Sequence, residues 1–255
     1  MLEARRLTKC YSSIPAVEGV SFTIKPGEVL GYLGPNGSGK STTVKIITGL
    51  LEPSTGTVLF EGRNIRDDLV RYKSLIGYVP EEASLYPFLS GLEYLELVSR
   101  LRALSTAVSA PRIDALLRLF GMYAHRHTAI ATYSKGMRQR ILLMSALLHN
   151  PRLIIFDEPL SGLDVTSALT FRKLVSALRL QGKMIFYCSH VLEVVEKVCS
   201  HVTILQNGKQ LAYGRIDELS RFQSMPSLEA TFSHLVQEVD AEETATAIAA
   251  VVSGR

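Results

Sequence analysis

The stretch Gly34-Pro35-Asn36-Gly37-Ser38-Gly39-Lys40-Ser41 decides the reading of this chain of 255 residues. It satisfies G-x-x-x-x-G-K-[ST] at every fixed position. The apolar run Val29 to Leu33 precedes it and a segment of helical character, Ser41 to Leu50, follows, so the context is strand, loop, helix. Glycines let a backbone wrap with its N–H groups pointing inward, which at a helix N-terminus makes a nest for phosphate. Lys40 then sets a cation on the β- and γ-phosphates of a nucleotide, and Ser41 offers a hydroxyl to Mg²⁺. A plain glycine-rich turn is the alternative, but it has no need of Lys and Ser in register behind the last glycine.

Working outward, the partner of this loop is Leu153-Ile154-Ile155-Phe156-Asp157-Glu158. Four apolar residues ending in two carboxylates describe a buried strand delivering acids to the ligand edge of an α/β sheet. Asp157 is expected to hold Mg²⁺, directly or through water. Glu158 is expected to polarise the attacking water as general base. Ordinary solvated carboxylates at a strand end are the alternative, which the phosphate loop argues against.

The rest of the chain alternates. Ala16 to Ile24 and Val29 to Leu33 read as strands around the turn Lys25-Pro26-Gly27-Glu28, with further strands at Thr57 to Phe60 and Ser74 to Val79. At Ser90 the periodicity becomes helical. Ser90 and Glu93 have capping-box spacing, and Leu92, Leu95, Val98 and Leu101 recur behind them. Pro111 is expected in the first turn of a second helix that stops at Gly121, and a third helix begins at Ser134 with Met137, Ile141, Met144 and Leu148. Val165 to Leu180 reads as helix and Met184 to Cys188 as buried strand. His201 to Gln206 and Lys209 to Tyr213 form a hairpin on Asn207-Gly208. Strand–helix alternation on both sides of a helical insert means α/β. Ala241 to Arg255 is Ala-rich without caps, a frayed helix or a disordered tail.

Composition narrows the function classes. With 47% hydrophobic and 20% charged residues the chain is an ordinary globular one, long enough to bury a core without disulfides or structural metal. The net charge of +4 is spread over scattered Lys and Arg, so no nucleic-acid partner is expected. Cys10, Cys188 and Cys199 lack metal-like clustering and read as reduced thiols of a cytosolic protein. The first ten residues carry no apolar signal segment. The longest near-continuous apolar run, Ile141 to Leu148, is far short of the ~20 residues a membrane span needs.

With these residues in place, the sequence resembles the ABC ATPase family from about Met1 to Leu219. The family signature LSGGQ has its counterpart in Tyr133-Ser134-Lys135-Gly136-Met137, followed by Arg138-Gln139-Arg140. Ser134 and Gly136 keep the pattern, whereas Tyr133, Lys135 and Met137 depart from it. The resemblance implies a P-loop NTPase core: a mixed sheet flanked by helices, an N-terminal antiparallel β subdomain, and an inserted α-helical signature subdomain at about 84–150. It implies ATP and Mg²⁺ as cofactors, with Gly34, Pro35, Asn36, Gly37, Ser38, Gly39, Lys40, Ser41 and Thr42 around the nucleotide. Ser134 and Gly136 are implied to reach the γ-phosphate from a second subunit, with a helix cap as the alternative role of Ser134. Ser161-Gly162-Leu163-Asp164 resembles the loop that meets that subunit. His190, after a buried strand and Ser189, resembles the histidine that senses the γ-phosphate. Tyr11 stands where the family stacks an aromatic on adenine, with a core tyrosine as the alternative. Glu81, after Tyr78-Val79-Pro80, stands where a Gln that contacts Mg²⁺ and the partner is usual.

Pro80-Glu81-Glu82, the sequence around Ser134, and Ser227-Leu228-Glu229-Ala230-Thr231-Phe232 resemble the exporter branch, whose short C-terminal helix would fall in 220–255. The expected function is the ATP-hydrolysing motor of a membrane exporter. Its expected partners are a second ATPase subunit, identical or different, and a polytopic permease that holds it on the inner face of the membrane. Leu85, Tyr86, Pro87 and Phe88, with Glu81 and the helical insert, form the candidate permease contact. A soluble, non-transport ABC ATPase is the alternative. Such proteins usually carry two modules or long coiled coils, and this chain shows one phosphate loop and no heptads.

Overall fold

The computed structural model describes residues 1–82, 84–160, 165–218, 232 and 250–252. Two long strands open the chain, β1 (Leu2–Tyr11) and β2 (Ile14–Ile24), followed by β3 (Val29–Leu33), α1 (Lys40–Ile47), β4 (Thr55–Phe60), β5 (Arg63–Asn64), α2 (Leu69–Leu75) and β6 (Ile76–Val79). Three helices come next: α3 (Gly91–Leu101), α4 (Thr106–Leu119) and α5 (Lys135–Leu147). The chain then alternates through β7 (Leu153–Asp157), α6 (Val165–Leu180), β8 (Met184–Cys188), α7 (Leu192–Val198), β9 (His201–Gln206) and β10 (Lys209–Arg215). No helix among the described residues is long and apolar enough to cross a membrane.

The ten strands run in the order β5-β4-β1-β2-β10-β9-β3-β8-β7-β6. Strands β5, β4, β1 and β2 pair antiparallel, while β9, β3, β8, β7 and β6 pair parallel. Every residue of β3, β7 and β8 is buried, as required of parallel strands covered on both faces. The two halves meet between β2 and β10, where the backbones pair only at Lys209 and Glu18. Side chains continue the seam. The Gln210 amide donates to the Ser21 carbonyl and accepts from the Ser21 N–H, both at 2.9 Å. The Tyr213 hydroxyl does the same for Thr23 at 3.1 and 3.2 Å.

The helical insert has its own core of Leu95, Ile113, Leu117, Tyr133, Ile141 and Met144. Each such side chain contributes roughly 1.5–3 kcal/mol by burial. Its helix ends obey their local signals. Ser90 and Glu93 form a complete capping box. Gly121, at φ 67, ends α4, with the Met122 N–H returning to the Leu117 carbonyl at 2.7 Å.

Three expectations change, and one strand is added. Helix α1 spans Lys40–Ile47 and so starts and ends earlier than Ser41 to Leu50. Ser74 and Leu75 end helix α2 instead of opening β6, because Asp68 caps a helix by accepting the Arg71 N–H at 2.9 Å. Pro111 lies inside α4, which already starts at Thr106; Pro111 and Ala107, whose carbonyl it leaves without a helical donor, are both exposed. Strand β1 occupies the first residues, which charge had disguised, and pairs with β2 and β4 on either side. Ser161 to Asp164 and most of the stretch from Ser227 to Arg255 lie outside the described residues. Within that stretch Phe232 is buried against the core and 250–252 are helical.

Candidate functional site

Parallel pairing gathers the carboxyl ends of β3, β7 and β8 at one edge of the sheet, the edge where α/β proteins bind ligands. Tyr32 and Asp157 both lie in register with Cys188. The loops that leave this edge line an open cleft of about 580 Å³. Its wall holds Ala16, Gly34, Pro35, Asn36, Gly37, Gly39, Lys40, Ser41, Thr42, Glu81, Asp157, Glu158 and His190. Twelve of these thirteen are residues expected from sequence, drawn from four separate segments; Ala16 is the addition. Ser38 is buried beneath the loop, and Tyr11, Ser134 and Gly136 lie elsewhere.

The phosphate loop is built around close approaches. Gly39 caps α1 at φ 101, and a Cβ there would meet the Ala16 carbonyl oxygen at 2.3 Å. At Gly34 a Cβ would lie 2.4 Å from Ser38 Oγ and 2.6 Å from the Leu205 carbonyl. No side chain caps α1 and no acid stands in its first turn, so its leading N–H groups carry an uncompensated positive end toward the cleft. Lys40 Nζ donates to the Gly34 and Pro35 carbonyls at 2.6 and 2.9 Å. Behind the loop, the buried Tyr32 hydroxyl donates to Thr43 Oγ1 at 2.9 Å, and Thr43 Oγ1 donates to the Gly39 carbonyl at 3.2 Å, fixing the first turn of α1.

Across the cleft Asp157 is only 6% exposed. Its carboxyl is pushed up to about 6: burial raises it most, the neighbouring Glu81 and Glu158 carboxylates add to the rise, and the Cys188 thiol and Lys40 oppose it. A carboxylate held against its preference in this way is one that a hard cation would relieve. With the Ser41 hydroxyl and Glu81 in the same wall, the donor set is all oxygen, which fits Mg²⁺. The cradle of amides, with Lys40 at its mouth, fits a polyphosphate.

Glu158 adopts φ 47, the left-handed region that a side chain rarely takes. Its N–H is held by the Cys188 carbonyl at 3.0 Å, so the strand pairing of β7 with β8 stabilises the strained turn. The turn aims the carboxylate at the residues that follow β8. Glu158 Oε1 lies 2.8 Å from His190 Nδ1, and Ser189 Oγ donates to Oε2 at 3.4 Å. A carboxylate so held can accept a proton from a bound water. Sequence reading missed the contribution of Ser189 and of Gln139, whose buried amide donates to the Pro159 carbonyl at 3.1 Å. Both stand inside quoted motifs, and only their contacts reveal what they hold.

The remaining candidates are placed as follows. Ser134 caps α5, its Oγ accepting the Met137 N–H at 3.2 Å, and it is exposed outside the cleft of its own chain. Tyr11 ends β1 at 50% exposure, with Lys9 Nζ 5.8 Å from its ring centre, so it is no core residue. Tyr86, Pro87 and Phe88 are exposed, Phe88 at 92%.

A family model described as ABC transporter matches residues 17–161. An uncharacterized ABC transporter ATP-binding protein of Nostoc is 38% identical over 81% of this chain, which spans 62% of that relative's length. The ABC transporter ATP-binding protein NatA of Bacillus subtilis is 35% identical over 92% of this chain and 97% of its own length. Among solved structures, an ATP-binding subunit of an ABC transporter is 33% identical, with a TM-score of 0.88 over 92% of this chain and 99% of that one. A dimeric ATP-binding cassette in a post-hydrolysis state bound to ADP and Pi is 27% identical, with a TM-score of 0.78 over 84% and 98%.

Proposed function

Since this chain belongs to the ABC transporter ATP-binding family and is an ATPase, we propose that it is the motor of a membrane exporter, working as a dimer with a separate permease. Lys40 exchanges the Gly34 and Pro35 carbonyls for triphosphate oxygens, a swap that replaces neutral acceptors by charged ones. Ser41, Asp157 and Glu81 hold Mg²⁺, which neutralises charge on the phosphates. Glu158, steadied by Ser189 and His190, takes the proton of the attacking water. Ser134 and Gly136 act on the nucleotide of the other subunit, in keeping with their place outside their own cleft. A symmetric pairing makes two such sites at once. Loss of the bridging anion on hydrolysis opens the dimer, and that opening is the stroke delivered to the permease.

The observation that carries the permease coupling is the exposed patch Tyr86-Pro87-Phe88. It follows the cleft residue Glu81 within seven positions and leads into the capped start of α3. Solvent-facing aromatics in a group mark a partner surface. Tyr86→Asp and Phe88→Asp are expected to weaken co-purification with the permease while sparing basal ATPase activity. Joint loss of activity and co-purification would instead assign these side chains to internal packing.

A further inference from the structure

The turn Asn207-Gly208 stands between β9 and β10, about 170 residues beyond the phosphate loop in sequence, yet its backbone touches that loop. The Gly208 N–H donates to the Ser38 carbonyl at 3.1 Å, and the Gly208 carbonyl accepts the Glu18 N–H at 2.8 Å. One residue thus bridges the phosphate loop and β2. Glycine suits the place best. Its φ is +79, and a Cβ would lie 3.0 Å from the Ala16 carbonyl oxygen. The same oxygen is approached by Gly39, where a Cβ would lie 2.3 Å away. Ala16 and Gly39 both line the cleft.

Peptide geometry gives the bridge a consequence. In a trans peptide the C=O of one residue and the N–H of the next point in opposite directions. Holding the Ser38 carbonyl on Gly208 therefore turns the Gly39 N–H away from the hairpin. The Leu205 carbonyl, packed against Gly34, backs the loop from the same strand pair.

We infer that Gly208 is a positioning residue for nucleotide binding: its two backbone hydrogen bonds set the spacing of the phosphate loop from β2 and aim the Gly39 amide before the nucleotide arrives. The inference rests on the reading of the cleft as the ATP site, and it concerns the ligand-free chain as well as the loaded one. Gly208→Asn tests it. Asparagine tolerates the left-handed conformation, so the turn persists, while its Cβ crowds the Ala16 carbonyl. Gly182→Asn is the matched control: Gly182 has φ +80, and a Cβ there meets nothing within 4 Å. Gly208→Asn is expected to weaken ATP binding about tenfold, the scale of one lost backbone hydrogen bond. It should raise KM with kcat nearly unchanged, and speed hydrogen exchange of the residue-208 amide in the ligand-free chain. Gly182→Asn should match the wild type in all three. Unchanged ATP affinity in Gly208→Asn, or equal losses in the two variants, overturns the inference. The wild-type chain supplies a reading independent of folding defects: its Gly208 amide should be protected from exchange without nucleotide, and free exchange there also overturns it. Failure of the wild type to bind ATP would sink the nucleotide reading instead, leaving that protection intact.

Discussion

Helices α1 and α5 both begin where an anion is expected, and they begin differently. Helix α1 starts on a left-handed glycine with no side-chain cap, and its first turn lines the cleft. Helix α5 starts on Ser134, which caps it, and lies outside that cleft. Neither has an acid in its first turn, whereas α3, away from the cleft, is closed by Ser90 and Glu93 together. A helix start sealed by its own carboxylate has little left to offer an anion. The two unsealed starts differ in what completes them. The first can take phosphate within one chain, and the second, on the proposed shared site, takes a ligand brought by another.

The largest expected effect separates these two starts. Lys40→Ala should abolish ATPase activity and most ATP affinity, because the triphosphate loses its facing cation. Ser134→Arg should also abolish turnover but leave ATP binding by the isolated chain intact. Mixing the two inactive proteins yields some dimers with one site that pairs an intact phosphate loop and an intact Ser134. Partial recovery of ATPase activity is expected, and a Ser134→Arg chain that cannot bind ATP alone would place Ser134 in its own chain's site.

Glu158→Gln comes next. It should bind ATP normally and hydrolyse it ~10²–10⁴-fold more slowly, the usual loss for a missing general base. The closed dimer should then accumulate and run at doubled mass in gel filtration with MgATP. Monomeric behaviour with wild-type turnover would put the base elsewhere.

The smallest effect concerns the acidic wall without ligand. The Asp157 carboxyl is raised from 3.8 to about 6 in the fold, so the unfolded chain gives up this proton first. Ionisation therefore costs folding stability as pH rises from about 4 to about 6, and the cost is complete above that window and absent below it. Asp157→Asn should stabilise the ligand-free chain at pH 8 by up to about 3 kcal/mol, with the gain vanishing near pH 4. A gain independent of pH, measured by thermal or denaturant unfolding, would assign it to packing.

Much of this was legible in order of residues. The phosphate loop, the acidic strand, the caps at Ser90 and Ser134, the stop at Gly121 and the turn at Asn207-Gly208 all stand where local chemistry put them. What was hidden had weak or conflicting local signals. Strand β1 carries Glu3, Arg5, Arg6 and Lys9, and Arg6 at φ 44 breaks its alternation where the register with β2 and β4 shifts. Helix α2 is only seven residues long and announces itself by Asp68 alone. Pro111 is a good first-turn residue, and an exposed helix face tolerated it in the interior.

Residue order along the chain is enough to say which side chains can meet a nucleotide, because a turn, a cap or a glycine loop is specified by neighbours a few residues apart. Which of them stand together depends on packing between distant segments. The 2.8 Å approach of His190 to Glu158 spans 32 residues, and the Gly208 bond to Ser38 joins segments that share no local pattern. That Ser134 lies outside its own cleft follows from how the helical insert packs on the sheet. Parallel strand pairing sets these distances, through long loop closures that no periodicity within a segment records.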